Sequence, residues 1–199
     1  MHAGGTYTGT ARCGNIAPMP RNRLPPWHEE FVLPNRRAIL IRPIRPEDAA
    51  PLQGVFGLLG PDEIRGAFAG ADGVLGDGEA ARLARPDPKT ELVLVGAEPE
   101  PPGEAMIAGL ARARIVPGTR QAEYAILLGS YVAGLGLGRH LMQKLVKWSR
   151  GRYLDRLYGD TPESNAPMLD LAASMGFRPS LEPGVPPGLI RLVLDLTPL

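Results

Sequence analysis

The feature that most constrains this chain is a glycine-rich turn set between a strand and a helix. Residues 128–139 read Leu-Gly-Ser-Tyr-Val-Ala-Gly-Leu-Gly-Leu-Gly-Arg. Upstream, residues 122–128 form a largely apolar run of strand length. Downstream, Leu141, Met142, Leu145, Val146 and Trp148 fall on one stripe of a helix spanning about residues 136–151. Glycines let the backbone come close to a bulky anion, and the N–H groups of a helix N-terminus point at it. Three glycines at alternate positions, Gly134, Gly136 and Gly138, therefore favour a phosphate or pyrophosphate ligand over a bare tight turn. Two well-known phosphate patterns are excluded. No Gly-Lys-Ser/Thr follows, so this is not a P-loop. Arg139 stands where the dinucleotide fingerprint needs its third glycine.

The length of 199 residues suits one domain with an appendage, and 44% hydrophobic residues make it globular. No apolar run approaches the ~18 residues of a membrane span. The single cysteine rules out an intrachain disulfide and a Cys-rich zinc site, and fits a reducing cytoplasm. His2, His28 and His140 are too scattered for a metal site, so no metal is expected. A net charge of +1 leaves no overall footprint for nucleic acid. That charge is unevenly placed, at +5 over residues 1–45 and −4 over the rest. Residues 1–35, broken by Pro18, Pro20, Pro25, Pro26 and Pro34, show neither the helical nor the strand period. They read as a mobile basic arm, with Trp27 and Phe31 as its docking points on a domain of residues 36–199. Cys13 lies in that arm without a local His or Asp pattern and reads as a bystander.

Within the domain, residues 38–44 read as a first strand, placed at a sheet edge by Pro43. Arg45-Pro46-Glu47-Asp48 opens a helix, with proline and acids in its first turn. Pro61-Asp62-Glu63 repeats that signal for a short helix through Phe68, and residues 78–85 add a further turn. Strands follow at 91–95, 105–116 and 122–128, an antiparallel meander. After the glycine turn and its helix come a strand at 153–160, a helix at 162–175 ended by Gly176, and a last strand at 189–196. The pattern predicts a mixed, twisted α/β sheet of six to seven strands flanked by helices.

Three segments then carry a family likeness. Gly136-Leu137-Gly138-Arg139-x-Leu141-Met142 resembles the pyrophosphate loop of the GNAT acyltransferases. Asn165-Ala166-Pro167-Met168-Leu169-x-Leu171-Ala172-Ala173-x-Met175-Gly176-Phe177 resembles that family's closing helix. Ile41-Arg42-Pro43-Ile44-Arg45-Pro46-Glu47-Asp48 is similar to its opening strand and helix. Together they cover nearly all of residues 38–199 in the right order. Residues 122–128, Ala-Glu-Tyr-Ala-Ile-Leu-Leu, further resemble the acetyltransferase domain of Pat-type bacterial protein lysine acetyltransferases. The resemblance implies a GNAT fold whose fourth and fifth strands run parallel and part. It implies acetyl-CoA as cosubstrate and an amine as acceptor, a protein lysine for the Pat-type likeness. Glu123 is the implied general base. Ile126, Leu127 and Leu128, the turn residues Gly134, Leu135, Gly136, Leu137, Gly138 and Arg139, and Asn165 are the implied cofactor-binding residues. The chemistry agrees, because a lysine amine with a pKa of about 10.4 must lose a proton before it attacks a thioester. Without the likeness, Glu123 reads as an ordinary strand carboxylate, and Asn165 as the start of a helix.

The chain also departs from the family. Ala133 replaces the Gln/Arg that opens the pyrophosphate motif, Gly134-Leu135 replaces a basic pair, and Ala172 stands where many members carry a tyrosine acid. Protonation of the leaving thiolate then falls to water, or to a group such as Ser164 or Tyr131. Arg139, Lys144, Lys147, Arg150, Arg152 and Arg156 read mainly as a solvated helix face, one or two of them within reach of an outer phosphate. Two rivals stay open. One is a small-molecule amine acetyltransferase with an acceptor pocket over residues 54–85. The other is a CoA-binding regulatory module with little turnover. No nucleic-acid or membrane partner is expected.

Overall fold

The computed structural model describes residues 26–56, 76–181 and 184–197. Eight strands form one sheet in the order β1-β2-β3-β4-β5-β6-β8-β7. They are β1 Glu29–Val32, β2 Ala38–Pro43, β3 Glu91–Ala97, β4 Ile107–Ile115, β5 Gln121–Leu128, β6 Arg156–Pro162, β7 Arg178–Pro179 and β8 Leu189–Asp195. The first five are antiparallel neighbours, β5 and β6 are parallel, and β8 returns antiparallel to β6. The expected helix over 61–68, and much of the acceptor pocket placed at 54–85, lie outside the described residues.

Helices cover both faces. On one, α3 (Leu137–Gly151) buries Leu137, Leu141, Met142, Leu145 and Trp148 against Ile39, Ile41, Leu92, Leu94 and Tyr124. Each such side chain contributes about 1.5–3 kcal/mol on burial. The short α4 (Ala166–Ser174) adds Ala172 to this core, and Phe177 follows it. On the other face, α1 (Ala49–Phe56) and α2 (Asp77–Leu83) bring Leu52, Val55, Phe56, Ala80 and Leu83 onto Val93, Val95, Ile107, Leu110 and Leu127. No helix among the described residues is long and apolar enough to cross a membrane.

Three expectations are corrected. The sheet has eight strands, not six to seven, because β1 and β7 are four and two residues long, too short to show a period. The strand at 38–43 is not at the edge: β1 pairs with it from Val32↔Ala38 to Glu29↔Ile41, which leaves Pro43 beyond the reach of β1. Residues within the presumed arm thus extend the sheet. Finally, β6 starts at Arg156 rather than 153, since Tyr153 adopts a left-handed φ of 56° as the chain leaves α3. It also runs on through Pro162, opposite Leu189, so α4 begins only after Asn165.

The acids at 47–48 do more than start a helix. Asp48 is fully buried in the 3-10 turn Pro46–Asp48 and takes a bidentate pair from Arg42, Nη1 to Oδ2 at 2.6 Å and Nη2 to Oδ1 at 2.9 Å. The Arg45 N–H donates to the same carboxylate at 2.8 Å. Burial opposes the charge on Asp48, but these donors and the Gly103 N–H outweigh it and hold the carboxyl below its usual range. Asp48→Asn leaves a buried guanidinium without its counter-charge and is expected to lower the unfolding free energy by about 3–5 kcal/mol in urea titration. The wild-type pair stabilises fully above the ordinary Asp pKa of about 3.9 and loses its contribution as pH falls through the lower folded value. A stability difference between wild type and D48N that closes in acid is the expected signature.

Candidate active site

The parallel ladder between β5 and β6 covers only Gln121↔Arg156, Ala122↔Leu157 and Glu123↔Tyr158. Beyond it the strands part, as expected for the fourth and fifth strands of the sequence reading. Just past the ladder stands Gly159. A Cβ there would sit 2.7 Å from Cε1 and Cζ of Tyr124 and 2.8 Å from its carbonyl oxygen. The Tyr124 ring therefore lies over β6 where only glycine leaves room, braced edge-on by Phe177 at 5.3 Å. Burial raises its phenol pKa. Residues 124–128 of β5 keep their pairing with β4, while their other edge has no strand partner among the described residues.

That open edge borders a cleft of about 670 Å³, closed by the glycine turn and by α4. Of the ten expected cofactor residues, Ile126, Leu127, Leu128, Gly134, Gly136, Gly138, Arg139 and Asn165 line it. The side chains of Leu135 and Leu137 do not line it, which leaves only their backbone to face the cleft. Leu137 is fully buried in the core beneath α3, and Leu135 packs against the same core. Their side chains anchor the turn. Gly134 and Gly136 hold left-handed φ values of 73° and 89°, which side-chain-bearing residues adopt only with strain. Gly136 is the N-cap of α3 and offers no capping side chain, so the first-turn amides have no acceptor within the helix. At Gly138 a Cβ would come within 2.8 Å of Leu128 Cδ1, so that glycine keeps the cleft open.

The sequence reading missed Ser130, Ala133, Pro167, Met168, Asp170, Leu171 and Ser174 in the cleft wall. The spacing 167, 168, 171 and 174 is one helix face, a signal present in the sequence. Asn165 caps α4, its Oδ1 accepting from the Met168 N–H at 3.1 Å. Arg139 donates from Nη2 to Ser174 Oγ at 2.7 Å and so ties α3 to α4. The basic face of α3 is mainly solvated, as expected, with Arg139, Lys147, Arg150 and Arg152 exposed, yet several of its residues have partners. Lys144 pairs with Glu29, Lys147 lies over Trp27, and Arg152 donates to the Pro88 carbonyl at 2.6 Å. Neither Tyr131 nor Ser164 lines the cleft; Tyr131 borders a separate apolar hollow of about 420 Å³ beside α1.

Glu123 ends the parallel ladder. Its neighbours Ala122 and Tyr124 face the α3 core, so strand alternation puts Glu123 on the opposite face. There it accepts from Arg114 Nη2 at 2.9 Å, with about a third of its side chain exposed (33%). The same register row carries Glu91, Arg114, Glu123 and Tyr158 across four strands. Arg112 pairs with Glu91 at 2.8 Å, and Arg191 holds Asp160 through two bonds while covering the Tyr158 ring. Burial and the nearby Glu123 charge raise the Tyr158 phenol pKa. The alternation Ala111-Arg112-Ala113-Arg114 already put both arginines on one face of β4.

The profile of the Acetyltransferase (GNAT) family matches residues 72–177, more than half of the chain. The chain belongs to the GNAT family. It is accordingly an acyltransferase, moving an acetyl group from acetyl-CoA to an amine. Solved structures share the fold. The GNAT domain of S. lividans PAT superposes with a TM-score of 0.71 at 20% identity, over 85% of this chain and 97% of that one. YncA from Salmonella typhimurium, solved with its cofactor acetyl-CoA, gives 0.58 at 21% identity over 80% and 94%. Ribosomal-protein-alanine N-acetyltransferase from Brucella melitensis gives 0.60 at 22% identity over 79% and 99%. At these identities the likeness is one of fold.

The residues present fit acetyl-CoA. An unpaired strand edge suits the amides of an extended pantetheine, and a turn of glycines before a helix suits a pyrophosphate. Gly138→Asp would put a side chain into the cleft wall against Leu128 and add a negative charge there. Loss of measurable CoA binding by calorimetry is the expected outcome. Because Gly138 is buried and a side chain there must displace Leu128, the melting temperature of the free protein is expected to fall as well, and binding is read below that temperature on folded protein.

Proposed function

We propose that this GNAT enzyme acetylates lysine side chains of protein substrates, with Glu123 as general base. The observation that carries the reading is the place of Glu123. It is the last laddered residue before β5 and β6 part, on the sheet face turned away from α3 and partly open to solvent. A carboxylate there stands beside the open edge of β5, within the region an incoming amine must enter. The Pat-like run of residues 122–128 and the fold likeness to the S. lividans PAT domain support the protein acceptor. We place the activity in the cytoplasm, which fits the single cysteine.

In this reading each part of the chain has one task. Backbone groups of Ile126, Leu127 and Leu128 pair with the pantetheine amides as a neighbouring strand would. The amides of residues 134–139 receive the pyrophosphate, with Arg139 the one cation in the cleft wall among the described residues. Asn165 stands at the same wall and orients α4 through its cap. Bound acetyl-CoA supplies the acetyl group as an activated thioester. Glu123 takes the ammonium proton of the acceptor, directly or through a water, so that the neutral amine forms the new C–N bond as the C–S bond breaks, and the second amine proton passes through water to the departing CoA thiolate. Arg114 fixes the carboxylate in place meanwhile.

Glu123→Gln keeps the shape but cannot accept the proton at neutral pH. Turnover is expected to fall by roughly 10²–10⁴-fold with CoA affinity unchanged, and the deficit to shrink as pH approaches the amine pKa of about 10.4. Acetyl transfer followed by mass, with lysine-bearing proteins and free polyamines as competing acceptors, tests both halves. A mutant as fast as wild type at neutral pH removes Glu123 from the role. Preferred acetylation of the free amines removes the protein-acceptor reading.

A further inference from the structure

The strand β1 lies at the edge of the sheet, hydrogen-bonded to β2 alone. Its side chains nonetheless reach the helix that carries the cofactor turn. Glu29 and Phe31 are half-buried, while the alternate Glu30 and Val32 are exposed. The receiving positions are Gly136, His140, Lys144 and Lys147, one stripe along α3. Lys144 forms an ion pair with Glu29, and His140 Nε2 lies 3.3 Å from the same carboxylate. Lys147 lies 6.0 Å above the Trp27 ring. The Lys144 hydrogen bond leads the effects that hold the Glu29 carboxyl below its usual range.

Phe31 makes the contact that matters for the cleft. Its ring lies 4.7 Å from the His140 ring at a tilt of 31°. Its Cζ would sit 3.8 Å from a Cβ built on Gly136. His140, which the ring packs on, and Gly136 bracket the first turn of α3, joined by the His140 N–H to Gly136 carbonyl bond at 3.1 Å. The inner side of that turn lines the cleft through Gly136, Gly138 and Arg139. A segment with glycine at alternate positions gives up much backbone freedom when it is held in one conformation. Gly136 has no side chain with which to hold itself.

We propose that β1 is a clamp on the phosphate-binding turn and that Phe31 is its positioning residue, holding His140 and through it the first turn of α3, with the left-handed Gly136 at its start, in the conformation that aims the helix amides at the cofactor. The inference rests on the reading of residues 134–139 as the pyrophosphate site. It makes CoA affinity depend on a strand that does not line the cleft. Truncating Phe31 leaves the amides in the sequence but no longer pre-set, so binding must also meet the cost of ordering them.

The test uses the full chain and two acetyl donors, acetyl-CoA and acetyl-pantetheine, the second of which lacks the pyrophosphate. Phe31→Ala is expected to raise the Kd for CoA and the KM for acetyl-CoA about tenfold with kcat unchanged, a typical coupling between sites. Activity with acetyl-pantetheine should not change, and Phe31→Tyr should restore the wild-type values. Glu29→Gln, which loosens the same clamp without removing the ring, should act in the same direction by a smaller factor. It keeps the test open if F31A does not fold. Equal losses with both donors, or no loss with either, overturn the clamp. A wild type that binds CoA no better than pantetheine removes the pyrophosphate reading itself, and the clamp with it.

Discussion

The molecule is organised around a strand pair that stops pairing. β5 and β6 share a parallel ladder for three residues and then diverge, which leaves backbone N–H and C=O groups of residues 124–128 without a strand on one side among the described residues. Buried backbone polar groups need partners, and an open strand edge is a template for whatever can supply them. Helices fill both faces of the sheet, so that edge is approached from within the split. An extended, amide-bearing chain with a charged end satisfies both the edge and the glycine turn beyond it. The Tyr124 ring lies over Gly159 where the divergence begins, directly beyond the pair Glu123 and Tyr158.

Keeping such a split open requires rigidity elsewhere. The Arg42–Asp48 pair fixes the 3-10 turn and therefore the start of α1 on β2, with three kinds of donor converging on one buried carboxylate. A buried pair of this sort is costly to create and costlier to break. On the same face, away from the apolar core under α1 and α2, the charges of β3, β4, β5, β6 and β8 pair side by side. Arg112 faces Glu91, Arg114 faces Glu123, and Arg191 faces Asp160. The wall around the proposed base is thus polar and already ordered. An acceptor entering there meets oriented charges rather than a layer that must first rearrange.

Much of this was legible from residues with a clear period. The α3 stripe, the meander at 91–128 and the glycine turn were readable because each spans enough residues to repeat. What escaped was short or depended on tertiary contact. β1 has four residues and sits between prolines, so no alternation could show. Leu135 and Leu137 belong to the motif by sequence, yet the left-handed glycines beside them turn their side chains into the core. Asp48 looks like a helix-start acid because the first-turn preference is local, whereas its partner Arg42 is supplied by the preceding strand. Glu123 was found through family likeness. Its partner Arg114 could have been found from the alternation in β4, since the register opposes the two.

The composition of the cleft sets how it must work. Among the described residues its wall holds one cation, Arg139, and one acid, Asp170, and the Arg139 guanidinium is already engaged with Ser174. Ala133 and Gly134-Leu135 add no charge where the family pattern has it. Within the wall itself, recognition of an anion therefore falls largely on backbone dipoles at close range. Such dipoles act only when aimed, and a glycine turn is the segment least able to aim itself. The burden passes to what surrounds the turn: Leu137 buried beneath it, Leu128 beside Gly138 within the cleft, and Phe31 against His140 outside it. A site poor in charge is in this way made dependent on packing, and the packing reaches as far as the edge strand.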